Sequence, residues 1–242
     1  MKEALLITGA TSDLGYGYLK KFKNKNITII AFYYDFEERL DDLIENYGLN
    51  IVKIYFDFLY PDSLEEKVRE LSEEYFISKV LHLSAPVVKQ ERFNKISKEV
   101  FYNDFTIQVV SLVEILKIVL IRMKKEKKGK IVIILSSCVE GVPPKFWASY
   151  VTSKYAMMGF LKSLVSEYGQ FNIQINGISP SMIQSKFLNN MDERMVEMEI
   201  EKHPMKRTVT IDEVAETIDY LFFNNNSFLN GNNILLTGGE NF

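Results

Sequence analysis

Tyr150 and Lys154 stand four residues apart, a spacing that puts both side chains on one face if residues 150–168 are helical. A phenol is a weak acid with an ordinary pKa of about 10, but a neighbouring ammonium favours the phenolate and brings it toward working range. The two residues are therefore a candidate proton-transfer pair. Ser137, thirteen positions before Tyr150, follows an apolar run and can add a hydroxyl to the same place. By itself the spacing also describes an ordinary solvated helix face, so the surrounding elements must decide its meaning.

The chain has 242 residues, 47% of them hydrophobic, which suffices for one large core. A net charge of −3 gives no general attraction to nucleic acid or anionic lipid. The longest basic run, 124–130, falls between a helical pattern and an apolar strand and reads as a solvated turn with Gly129 as the stop. One cysteine, Cys138, excludes an intramolecular disulfide, and with only His82 and His203 there is no His/Cys zinc constellation. No metal is expected. The N-terminus lacks a signal-peptide layout and no apolar run reaches the ~18 residues needed to span a bilayer, so neither membrane nor nucleic acid is an expected partner and a cytoplasmic protein is.

The elements alternate. Residues 3–8 are an apolar strand stopped by Gly9, and a turn through Gly15 and Gly17 leads into a helix. A strand, a glycine turn and a helix start bring backbone N–H groups and a positive helix end together, which suits a pyrophosphate. A second strand, 26–33, ends in Phe32, Tyr33 and Tyr34. The residue there meets the adenosine ribose in a dinucleotide fold, an acid selecting NAD and a base NADP. The absence of an acid leans toward NADP(H), with NAD(H) possible should Asp35 turn inward. A helix (36–47), a strand closed by Asp57 (50–57), a helix to Tyr75 and a short strand (79–83) follow. His82 in that strand reads as a satisfied core histidine. A long helical pattern, 102–123, precedes a fully apolar fifth strand, 130–135, which delivers Ser136 and Ser137 to its carboxyl end. Beyond a loop, 139–148, comes the helix of Tyr150, then a strand (172–178), a Met-rich stretch (182–206), a helix (211–223) and a last strand (233–239). This order predicts a single α/β domain spanning 1–242, a doubly wound, mostly parallel seven-stranded sheet with helices on both faces. The 182–206 stretch, with Met182, Met191, Met195, Met198 and Met205, can serve as a lid over an apolar ligand or as plain helix packing.

With the glycine turn, Ser137, Tyr150 and Lys154 in this order, the sequence resembles the short-chain dehydrogenase/reductase family, near its 3-oxoacyl-carrier-protein reductase-like members. The likeness covers essentially the whole chain and implies a Rossmann fold. It implies that Gly9, Thr11, Ser12, Asp13, Leu14 and Gly15 form the cofactor turn, that Tyr33 and Tyr34 meet the ribose, and that Asp57 and Phe58 lie at the adenine. Ser84 and Ala85 follow the fourth strand, and Pro180, Ser181 and Ile183 lie beside the nicotinamide. Ser137, Tyr150 and Lys154 match the catalytic residues, with Lys154 also holding the nicotinamide ribose, and Gln108 aligns where most members carry a catalytic asparagine that keeps a water-linked proton path to the lysine.

Three departures bear on what the resemblance implies. Asp13 replaces the middle glycine of the turn, Leu83-Ser84-Ala85-Pro86 replaces the usual Asn-Asn-Ala-Gly, and Gln108 is one methylene longer than asparagine while keeping a donor and an acceptor. The implied activity is NAD(P)(H)-dependent reduction of a carbonyl, or oxidation of the corresponding alcohol, on a small-molecule substrate. A catalytically weak NAD(P)-binding sensor or scaffold is the alternative that the departures suggest. The resemblance also implies a homo-oligomer, a tetramer or dimer built through helices 102–123 and 150–168 and the last strand. Substrate determinants are expected in 139–148 and 182–206, where Phe146 and Trp147 point to an apolar or ring-shaped ligand.

Overall fold

The structure, a computed structural model, describes residues 1–22, 26–88, 90–185 and 193–240. Seven strands form one sheet: β1 (Lys2–Thr8), β2 (Thr28–Tyr33), β3 (Ile51–Tyr55), β4 (Tyr75–His82), β5 (Gly129–Ile134), β6 (Ile173–Pro180) and β7 (Asn233–Leu236). Their order is β3-β2-β1-β4-β5-β6-β7 and every neighbouring pair is parallel. Central strands of such a sheet are covered on both faces and read as unbroken apolar runs. Ala4, Leu5, Leu6 and Ile7 of β1 accordingly have no exposed surface, and each such leucine or isoleucine contributes roughly 1.5–3 kcal/mol of burial.

Alternate residues of these strands feed two cores. On one face Leu6, Ile30, Val80 and Ile131 pack with α3 (Leu64–Glu74), α5 (Ser111–Glu126) and α6 (Ala148–Tyr168). On the other, Leu5, Ile7, Ile29 and Val132 pack with α1 (Asp13–Lys21), α2 (Glu38–Tyr47) and α8 (Ile211–Phe223). Two further helices, α4 (Lys98–Phe105) and α7 (Glu193–Lys202), complete the described set. The strand order reverses between β1 and β4, so the crevice beyond Thr8 and His82, which are register partners, is where such a sheet binds ligands.

Several boundaries differ from the sequence expectation for identifiable reasons. β3 ends at Tyr55, and Asp57 lies in the turn beyond, where its Oδ1 accepts the Leu59 N–H at 2.9 Å and closes a local side-chain turn in place of the ladder. β4 starts at Tyr75, not at residue 79. Its polar Ser78 and Lys79 are tolerated in a buried strand because both donate to Glu3 Oε1, at 2.5 and 3.1 Å. The basic run ends its helix at Lys127 in the left-handed conformation, φ 50°. Gly129 instead begins β5, where a Cβ would stand 2.4 Å from Met123 Sδ. The expected helix 102–123 is two helices, α4 and α5, joined by a π-turn at Thr106–Val110. Of the lid segment, 183 bridges to 209 and α7 covers 193–202, while 186–192, Met191 among them, lie outside the described residues.

Candidate active site at the carboxyl ends of the strands

The glycine turn follows β1. Gly9 takes φ +63°, a conformation that costs most side chains strain, and Ser12 folds back to donate its N–H to the Gly9 carbonyl at 3.0 Å. Ser12 then caps α1, its Oγ accepting the Gly15 N–H at 3.0 Å. A Cβ on Gly15 would meet the Gly9 and Ala10 oxygens at 2.5 and 2.8 Å, so only glycine lets the helix start this close to the turn. The result is a helix N-terminus facing the crevice with buried Thr11 and Leu14 beneath it, a fit for a pyrophosphate. Asp13 brings a carboxylate to this turn, and the structure supplies its counter-charge. Arg39 of α2 reaches it with Nη2 at 2.9 Å from Oδ1, while Nη1 donates to the Thr11 carbonyl at 2.7 Å. The guanidinium lies 5.2 Å from the ring centroids of both Tyr16 and Phe36. Arg39 sits six residues beyond Tyr33, in the first turn of the next helix, away from the strand end where sequence places a ribose-facing base.

At the ribose end Tyr33 is buried and Tyr34 exposed, the latter stacked on Tyr55 at 5.9 Å and 23°. Asp35 is exposed. Phe58 is buried against Phe32 and Phe56, which fixes the loop that carries Asp57. Ser84 is buried and its N–H donates to Thr8 Oγ1 at 3.2 Å, whereas Ala85 is exposed. Pro180 ends β6, the Ser181 N–H donates to Leu236 at 3.1 Å, and Ile183 forms its bridge with Val209. A cavity of about 300 Å³ adjoins this corner, lined in part by Ser181, His203, Arg207 and Thr237.

Tyr150 and Lys154 are buried together on α6. Lys154 Nζ donates to the Ile134 carbonyl at 2.9 Å and lies 5.3 Å from the centre of the Tyr150 ring. Burial brings the ammonium down to about 8, against the opposing pull of Cys138. Burial also pushes the Tyr150 phenol above its ordinary range, and the nearby Cys138 and Asp104 push the same way. The ammonium lies over the ring of Tyr150, and desolvation is the largest influence on the phenol. Ser136 accepts the Cys138 N–H at 3.3 Å, and its hydroxyl favours the Tyr150 phenolate, opposing the upward push of burial. Ser136 keeps extended backbone, φ −163°, whereas Ser137 opens a short 3-10 turn over Ser137–Val139. Trp147 is buried edge-on against Tyr150 at 5.6 Å and 88°, while Phe146 is exposed.

Gln108 lies in the π-turn, wholly buried. Its backbone oxygen is 2.8 Å from His82 Nε2, and its Nε2 is 3.4 Å from the Asp104 oxygen. Asp104 accepts from Ser149 Oγ at 2.5 Å, tying α4 to the start of α6. Among the described residues no group of His, Cys, Asp and Glu could hold a metal, and no helix is long and apolar enough to cross a membrane.

Comparison with known proteins agrees with this arrangement. A family model described as enoyl-(acyl carrier protein) reductase matches residues 9–241. The 3-oxoacyl-[acyl-carrier-protein] reductase of Buchnera aphidicola subsp. Schizaphis graminum is 27% identical over 240 residues, covering 98% of this chain and 97% of the relative. The crystal structure of a 3-oxoacyl-[acyl-carrier protein] reductase from Brucella melitensis superposes with a TM-score of 0.89 at 20% identity, over 99% of this chain and 91% of that one. ElxO with NADP bound superposes at 0.87 and 22% identity over 99% of both chains. The glycine turn, the sheet order and the family match over nearly the full length have one meaning: the chain belongs to the short-chain dehydrogenase/reductase family of oxidoreductases.

Proposed function

We propose that this protein is an NADP(H)-dependent reductase of a carbonyl group on a small molecule, of the 3-oxoacyl type, working through Ser136, Tyr150 and Lys154. The observation that carries this reading is the buried Tyr150 with the Lys154 ammonium 5.3 Å from its ring centre, beside the Ser136–Ser137 pair that follows β5. The cofactor, when bound, supplies the hydride. Tyr150 is held protonated by burial and gives its proton to the substrate oxygen as charge develops there, which suits the reducing direction. Ser136 donates a hydrogen bond to that oxygen, and Lys154 stabilises the phenolate that Tyr150 leaves behind. The glycine turn and α1 N-terminus hold the pyrophosphate, with Tyr33, Tyr34, Asp57 and Phe58 around the adenosine and Pro180, Ser181 and Ile183 beside the nicotinamide. NADP(H) is supported by the lack of an acid at the end of β2, by Arg39 within reach of that corner, and by NADP in the structure of ElxO.

Residues 182–206 are the proposed lid, with substrate determinants there and in 139–148. A homo-oligomer is supported by apolar side chains left exposed on α4, α5 and α6, Tyr102, Phe105, Ile121 and Tyr155, and by Leu235 on the edge strand β7; a light-scattering mass of one subunit would contradict it. The decisive experiment is Tyr150→Phe. It should bind NADPH, followed by cofactor fluorescence, and lose turnover of an acetoacetyl thioester by about 10²-fold or more. Retention of most of the rate would remove the role given to Tyr150, and tight NADPH binding without turnover in the unaltered protein across carbonyl classes would favour a sensor.

A further inference from the structure

His82 ends β4 with 1% of its surface exposed, opposite Thr8 in the parallel register. Its Nε2 is 2.8 Å from the Gln108 backbone oxygen and its Nδ1 is 3.0 Å from Thr8 Oγ1. A carbonyl only accepts, so Nε2 carries the proton, and in the neutral ring Nδ1 must then accept from the Thr8 hydroxyl. Thr8 Oγ1 in turn accepts the N–H groups of Leu83 and Ser84, at 3.1 and 3.2 Å. The hydrogen bonds therefore run one way, from the start of the 83–86 turn through Thr8 and His82 to Gln108. Burial keeps the imidazole neutral, its pKa down at about 3 in spite of the Gln108 hydrogen bond, and the Lys154 ammonium presses in the same direction.

The oxygen at the end of this chain belongs to an irregular piece of helix. Across Thr106–Val110 the Ser111 N–H returns five residues to Thr106 instead of four, and Ser111 Oγ takes the Ile107 carbonyl at 2.6 Å. His82 does for the Gln108 carbonyl what Ser111 does for that of Ile107. π-turns interrupt the regular ladder and persist where neighbours satisfy the displaced groups. This one also packs against α6, the helix of Tyr150 and Lys154. Gln108 is left wholly buried, with its Oε1 the one buried side-chain acceptor of the π-turn for which no protein partner is present among the described residues.

We propose that His82 is a positioning residue that clamps the cofactor turn to the π-turn of Gln108, so that the glycine-turn strand and the catalytic helices hold one geometry. The proposal rests on the oxidoreductase reading above for its effect on rate, but the clamp itself can be read without turnover. The groups facing Lys154 are His82 from β4, the Ile134 carbonyl from β5, Cys138 from the short turn after it and Tyr150 on its own helix, with Asp104 of α4 beyond Tyr150. Removing His82 takes away the imidazole that faces Lys154 and leaves the buried Gln108 carbonyl, an acceptor, without that donor, which favours the ammonium.

The test uses the full chain with His82→Leu and His82→Gln, the glutamine keeping an N–H donor of similar reach. Nitrogen-15 NMR should find His82 as the Nε2–H tautomer, without titration between about pH 5 and 9. Carbon-13 labelling of lysine, assigned with Lys154→Met, should show Lys154 titrating higher by about half a unit or more in His82→Leu and returning toward the original value in His82→Gln. With NADPH and an acetoacetyl thioester, His82→Leu should lose about tenfold or more in kcat at a nearly unchanged NADPH Kd, and His82→Gln should recover most of it. An Nδ1–H tautomer, a His82 that titrates in that range, or Lys154 titrations equal in all three proteins would overturn the proposal. If the unaltered protein binds NADPH but leaves the thioester untouched, the proposed reaction fails, and the tautomer and Lys154 titration still decide the role of His82.

Discussion

Arg39 and Asp13 meet between α2 and α1, Nη2 to Oδ1 at 2.9 Å, with both side chains less than a fifth exposed. The pair turns what looked like an obstacle in the phosphate turn into a fixed charge arrangement. Asp13 stands where a flexible glycine is usual in the family, and its carboxylate would repel a pyrophosphate if it were left alone. Arg39 also holds the Thr11 carbonyl, so one guanidinium sets both the charge and the backbone of the turn.

Arg39→Met should therefore weaken cofactor binding by removing the guanidinium that offsets the Asp13 charge, a more severe change than removing both partners. The expected NADPH Kd rises about tenfold, or ~1.4 kcal/mol, with NADH affected less because it lacks the 2′-phosphate. Asp13→Asn placed on top should restore part of the loss, a coupling that a double-mutant cycle measures directly. Fluorescence titration of the four proteins with both cofactors is the check, and an unchanged Kd in Arg39→Met would show the pair to be structural only.

The two serines after β5 offer a sharper test. Ser136 favours the Tyr150 phenolate, and Ser137 opens the 3-10 turn that follows it. Ser136→Ala should lower kcat about 10²-fold, the order seen when one donor to a developing oxyanion is removed. Ser137→Ala should stay within about threefold, since it deletes no such donor. Steady-state rates with NADPH and an acetoacetyl thioester decide it, and the opposite ranking would return the role to Ser137.

This pair also marks where sequence reading stops. The alternation of strand and helix was legible because buried parallel strands are continuous apolar runs and Gly9 interrupts one at the right place. The Tyr150–Lys154 face was legible because four residues is a helical repeat. Choosing between Ser136 and Ser137 requires knowing where the strand gives way to the 3-10 turn, and adjacent serines carry no periodic signal for that. The π-turn at Gln108 shifts the helical register by one residue inside an apolar stretch, so the pattern across 98–126 still scans as ordinary helix. Arg39 and His82 depend on contacts 26 residues away along the chain, to Asp13 and Gln108, which composition and spacing do not encode. The upward shift of Tyr150 follows from Trp147 and Cys138 closing around it, again a tertiary fact.

Lys154 makes a prediction about pH that is independent of substrate. Its folded pKa is about 8, below the ordinary lysine value of 10.5. Between those values the unfolded chain binds more protons than the folded one, so stability from this group rises as pH increases across that window and is lost as pH falls through 8. At neutral pH the buried ammonium costs on the order of 3 kcal/mol, offset in part by its bond to the Ile134 carbonyl. Tyr150 acts in the opposite sense, because its folded pKa is raised, but only above about pH 10, where an unfolded tyrosine ionises. Lys154→Met should therefore be more stable than the unaltered protein at pH 7, with the difference narrowing steadily toward pH 10. Urea unfolding of the cofactor-free proteins at intervals from about pH 6 to 10 measures it, and a difference that stays constant across the range would mean that Lys154 titrates as an ordinary lysine.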